Sequence, residues 1–151
     1  MKDRNFSVKA AAAKLYMSLS LYMSEFASNE GAFADKIKEP PTGSMNRIAA
    51  AEWRRVAPRL YDIGRITPRS IIALHGYCGA YAFWLKLHRQ VKQLGREPSH
   101  RADYSELSSV ERQEQNFVKQ LARTFGFFLD DSGRMNLDQP LPLESKQRRK
   151  K

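Results

Sequence analysis

The side chains able to do chemistry in this chain are few and scattered. They are His75, His88 and His100, the single Cys78, and the adjacent acids Asp130 and Asp131. The histidines do not combine with cysteine or carboxylate into a metal-ligand set. Phosphate-cradling Gly-x-x-x-x-Gly-Lys-Ser/Thr, nucleophile-elbow Gly-x-Ser-x-Gly and zinc-binding His-Glu-x-x-His are all absent from the sequence. Asp130-Asp131-Ser132 reads as the cap of one last short helical turn through Leu137, not as a general acid and base. Cys78 lies in an apolar stretch and reads as a small buried hydrophobe in a reducing compartment. The expectation is a protein that is not an enzyme, with no catalytic residue, no metal and no cofactor.

The chemistry that remains is electrostatic. The 151 residues carry a formal net charge of +10, unevenly spread. Residues 45–96 hold ten Lys/Arg against two Asp/Glu, and residues 144–151 hold five against one, whereas residues 97–143 hold five against eight. A basic body with a basic tail points to a polyanion, nucleic acid before membrane surface. The expected contacts to DNA phosphates are Arg47, Arg54, Arg55 and Arg59, assisted by Lys9 and Lys14 and by the tail residues Lys146, Arg148, Arg149, Lys150 and Lys151.

Those arginines must be positioned by helices. Ala49, Trp53, Val56, Leu60 and Ile63 fall on one stripe at 100° per residue, with the four arginines outside it. Gly64 stops that helix and Thr67-Pro68 starts a second over 68–94, so the pair forms a helical hairpin. The second helix is apolar over more than half its circumference, which demands packing on more than one side. In a chain this short, another copy of the chain is the economical cover. Ile72, Tyr77, Ala80, Phe83, Trp84, Leu87 and Val91 are the expected oligomerisation residues. Gly76 and Gly79 suit close approach of helices, since glycine inside a helix costs about 1 kcal/mol relative to alanine.

Outside the hairpin, Ser7 caps a helix over 7–27 whose apolar residues recur at three- and four-residue spacing. Lys14 interrupts its apolar run, so it is not a signal peptide, and no stretch is long enough for a membrane span. A soluble intracellular protein is expected. Glu39-Pro40-Pro41-Thr42-Gly43-Ser44 reads as a linker, because consecutive prolines exclude helix. Residues 96–105 read as irregular, and Ser108 or Ser109 as the cap of a further helix closed by Gly126. The expected organisation is a helical appendage (1–38), a linker (39–44), a helical core and oligomerisation domain (45–137), and a flexible basic tail (138–151). With no convincing strand pattern, the expected class is all-α: a helical hairpin core with a long central helix.

The stretch Ala51-Glu52-Trp53-Arg54-Arg55-Val56-Ala57-Pro58-Arg59-Leu60, the turn Gly64-x-Ile66-Thr67-Pro68, and the later Gln120-Leu121-Ala122-Arg123-Thr124-Phe125-Gly126-Phe127 resemble the small subunit of tailed-phage terminases. The resemblance covers about residues 40–137. It departs from the commoner pattern at Asp130-Asp131-Ser132-Gly133. It implies a non-catalytic subunit that forms a ring-shaped homo-oligomer in the host cytoplasm. Such a subunit binds viral double-stranded DNA to start packaging and regulates the terminase large subunit, which holds the ATPase and nuclease. The alternatives from other classes are a helical scaffold or adaptor, and a dimeric DNA-binding transcription regulator.

Overall fold

Asn46 starts the first long helix by accepting a hydrogen bond on its side chain from the Ala49 amide at 2.9 Å, the N-cap arrangement that satisfies an otherwise orphaned donor. The computed structural model describes residues 30–41, 43–95 and 101–141. Among these, α1 is Glu30–Lys36, α2 Arg47–Asp62, α3 Ile71–Leu94 and α4 Arg101–Thr124, followed by β1 Phe127–Leu129 and β2 Met135–Pro140. The helix expected over 7–27, with Lys9 and Lys14, lies outside the described residues, as do His100 and the tail residues Lys146, Arg148, Arg149, Lys150 and Lys151. The chain divides into two compact units, Met1–Ala82 and Phe83–Lys151, and the division falls within α3.

In the first unit, α2 ends as its glycine foretells. The Arg65 amide donates to the Leu60 carbonyl at 2.8 Å and the Gly64 amide to Tyr61 at 2.9 Å, with Gly64 at φ 68. This six-to-one and five-to-two pairing absorbs the terminal carbonyls and needs a residue tolerant of positive φ. Pro68–Ser70 form a 3-10 turn before α3 begins at Ile71. The turn is closed by the Thr67 amide donating to Ser70 Oγ at 2.9 Å.

The buried face of α2 is Ala49, Glu52, Trp53, Val56, Ala57 and Leu60. Ile63, expected in that stripe, is exposed. It sits at the cap, where the chain leaves helical phase. Phe33 and Ile37, four residues apart on and just past α1, are buried, and Trp53 Nε1 donates to the Ile37 carbonyl at 2.9 Å. Residues 33–37 therefore belong to this core rather than to an appendage hinged at 39–44.

The described fold is mostly helical, as expected, and the second unit adds a small two-stranded sheet to it. β1 and β2 pair antiparallel, Phe127 opposite Pro140 and Leu129 opposite Met135, with an irregularity between. The residues read as a last helical turn form the hairpin's connection and the start of β2. Asp130 Oδ1 accepts from the Ser132 amide at 2.9 Å, Ser132 Oγ at 2.6 Å and the Arg134 amide at 3.0 Å. An aspartate that caps a helix and one that closes a turn use the same acceptor, so the residue type alone does not separate them. Gly133 decides the matter physically. Its φ is 75, and a Cβ there would lie 2.3 Å from Cη2 of Trp84.

α4 also begins earlier than expected, at Arg101, so residues 101–105 are helical rather than irregular. Asp103 in the first turn complements the helix dipole. Ser108 is interior, its hydroxyl donating back to the Ser105 carbonyl at 3.2 Å.

Candidate nucleic-acid interface

The four arginines expected to meet phosphates all lie on α2, but their surroundings differ. Arg47 is exposed in the first turn. A cation there opposes the positive end of the helix dipole, so local helix stability gives no reason for it. Arg54 is exposed and its Nε lies 3.4 Å from Glu39 Oε2, with both side chains more than half exposed. Water screens a pair of that kind heavily, and a polyanion competes with it readily. Arg59 is exposed in the last turn.

Arg55 is engaged elsewhere. Its Nε donates to Glu52 Oε2 at 3.0 Å and its Nη2 to Oε1 at 2.5 Å. Glu52 has no exposure at all. The hydroxyl of Tyr77 donates to the same Oε1 at 2.9 Å. A fully buried carboxylate needs this many donors to be tolerated. The guanidinium of Arg55 therefore holds Glu52 inside the first unit, a role that its expected phosphate contact did not include. The sequence signal was present as a Glu and an Arg three residues apart, with the Glu at the edge of the apolar stripe.

Cys78 lies beside this group. Its thiol is pushed well above its ordinary pKa, first by burial and then by the Glu52 carboxylate, with Arg55 opposing. It is inert as a nucleophile. His75 Nε2 lies 3.2 Å from Ser44 Oγ. Burial lowers the pKa of His75, with a hydrogen bond to the Ser44 backbone partly opposing.

The expected oligomerisation set divides as well. Tyr77, Trp84, Leu87 and Val91 are buried within the chain, and Ala80 is half-buried. The apolar arc of α3 is thus mostly covered by the chain's own elements, not by another copy. In the first unit Tyr77 meets Glu52. In the second, Trp84 meets Gly133 and His88 Nδ1 lies 2.9 Å from Glu111 Oε1. Ile72 and Phe83 remain exposed, at 56% and 47%. With Gly76 and Gly79 they follow the four-three-four spacing of one helix face. A Cβ on either glycine would meet nothing within 4 Å, so packing within the chain does not require them. In the second unit, Val110, Phe117 and Phe128 are also exposed.

Among the described residues, no group of three or more His, Cys, Asp and Glu could hold a metal ion, and no helix is long and apolar enough to cross a membrane. A family model described as "Phage terminase, small subunit" matches residues 49–139, from α2 through most of β2. No curated protein and no solved structure matches the chain.

Proposed function

The chain belongs to the phage terminase small subunit family, and from that premise we propose that it is the non-catalytic DNA-recognition component. In this role it binds viral double-stranded DNA in the host cytoplasm to start packaging, and it regulates the large subunit that carries the ATPase and nuclease. The observation that carries the DNA contact is the exposed set Arg47, Arg54 and Arg59 on α2. Arg47 and Arg54 lie on the side of the helix away from the stripe of Trp53, Val56 and Leu60, Arg59 flanks that stripe, and Arg47 is there at the expense of the helix dipole. Lys9, Lys14 and the basic tail add further cations.

Assembly into a ring is supported by two different apolar surfaces. One is the α3 face of Ile72, Gly76, Gly79 and Phe83; the other is the α4 pair Val110 and Phe117. When one surface of a copy docks a different surface of the next, the contact is heterologous, and rotation closes it into a ring. Repetition around a ring lets individually weak arginine contacts act together.

Fluorescence anisotropy with a duplex across a range of salt concentrations tests the DNA reading. Each phosphate neutralised contributes about −0.9 to the slope of log affinity against log salt. Arg47→Ala/Arg54→Ala/Arg59→Ala should shallow that slope by up to about 2.7 per protomer. Binding with no salt dependence, or a slope untouched by the triple substitution, would refute this surface.

A further inference from the structure

Residues 97–143 are net acidic, yet α4 keeps its cations apart from its acids. At 100° per residue, Arg112, Asn116, Lys119 and Arg123 fall within about 60° of one another, and every acid of α4 lies at least about 80° from them. All four are exposed. They run along about 16 Å of helix at 1.5 Å per residue. No Asp or Glu stands three or four residues from any of the three cations, although the helix contains Asp103, Glu106, Glu111 and Glu114. Glu111 is paired with His88 instead. Among the described residues, Arg112 and Lys119 take part in no ion pair.

This arrangement costs the helix stability. Lys119 and Arg123 are like charges one turn apart, which repel. Arg123 has a local compensation in the helix dipole at the C-terminal turn, and its guanidinium carbon lies 5.7 Å from the ring centroid of the exposed Phe128. Arg112 and Lys119 have no such compensation. A solvated helix face held by ion pairs would intersperse the signs, as i,i+4 pairing rewards. A single-sign stripe backed by an arginine against an aromatic ring is instead the footprint of a phosphate backbone.

We propose that Arg112, Lys119 and Arg123, with Asn116 between them, form a second contact surface for the phosphates of duplex DNA, separate from the α2 arginines. This deepens, and rests on, the reading of the chain as a DNA-binding subunit. The contact is sequence-independent, since charges of this kind position the duplex without reading its bases.

The test uses the full chain and a short random-sequence duplex, with anisotropy followed across a salt series. Arg112→Gln/Lys119→Gln should shallow the log–log slope by about 1.8 per protomer. The charge-keeping Arg112→Lys/Lys119→Arg should retain it. Glutamine matches the replaced residues in helix propensity, so the fold is expected to survive. Should the pair unfold nonetheless, Lys119→Gln alone should still remove about 0.9 from the slope. An unchanged slope in a folded glutamine variant overturns the proposal. So does a variant that loses assembly at constant slope, because the stripe then meets an acidic protein surface. If the unmodified chain binds no duplex, the DNA reading falls with it. If it binds, and only the α2 substitutions alter the slope, this proposal falls alone.

Discussion

Glu52 imposes the strongest local constraint in the first unit, because a buried carboxylate stripped of its donors has no water to replace them. Arg55→Ala should destabilise the chain by about 3 kcal/mol, the usual cost of orphaning one partner of a buried pair. The shift of the urea midpoint at constant m-value checks it. Tyr77→Phe removes one donor from the same oxygen and should cost about 1 kcal/mol. If Arg55→Ala leaves stability unchanged but shallows the salt slope of DNA binding, Arg55 is a phosphate contact after all. His75 adds a pH term of definite sign. Its folded pKa lies below the unfolded value of 6.5, so the unfolded chain binds the proton more readily. The stability it contributes is present above pH about 6.5 and lost as pH falls below it. His75→Gln should flatten stability against pH across that window, as measured by denaturation at several pH values.

At the scale of elements, the hairpin and α3 make separable predictions. Gly133 combines positive φ with a ring where its Cβ would be. Gly133→Ala should therefore cost on the order of 3 kcal/mol, summing left-handed strain and overpacking. A melting midpoint unchanged from the unmodified chain would show that the turn repacks around Trp84. Along α3, Phe83 and Trp84 are adjacent but face different surroundings, one half-exposed and the other buried. Trp84→Glu should unfold the second unit. Phe83→Glu should keep the helical circular dichroism and lower the oligomeric state in native mass measurement. If both unfold the chain, Phe83 is a core residue and the exposed face is not an interface.

For the whole molecule, the oligomer is the central expectation. Native mass of the unmodified chain should show a single closed oligomer, and a monodisperse monomer would refute the ring. Truncation after Leu143 should leave that mass and the thermal midpoint unchanged while weakening association with DNA or the large subunit. Five of residues 146–151 are cationic and no apolar residue follows Leu143, so the segment has little surface to bury against its ordering entropy. Failure of the truncated chain to assemble would make the tail structural.

What the sequence determined by itself was local. The stripe of α2, its stop at Gly64, the turn at Thr67-Pro68 and the apolar run of α3 all follow from spacing and backbone preference within a few residues. The family resemblance rested on those segments up to Thr67-Pro68 and on the later stretch from Gln120 to Phe127. The tertiary structure decided everything that depends on which surface meets which. It separated Arg54, lightly held by exposed Glu39, from its neighbour Arg55, locked to buried Glu52; the two are the same residue type one position apart. It buried Tyr77, Trp84, Leu87 and Val91 inside the chain and left Ile72 and Phe83 out; helical periodicity sorts the two sets onto different faces but does not say which face the chain covers. It also turned Asp130 from a helix cap into a hairpin closure, because Gly133 had to pass under Trp84, a residue 49 positions away in the chain. Propensity and periodicity act over one or two turns, whereas burial is set by contacts between residues far apart in sequence.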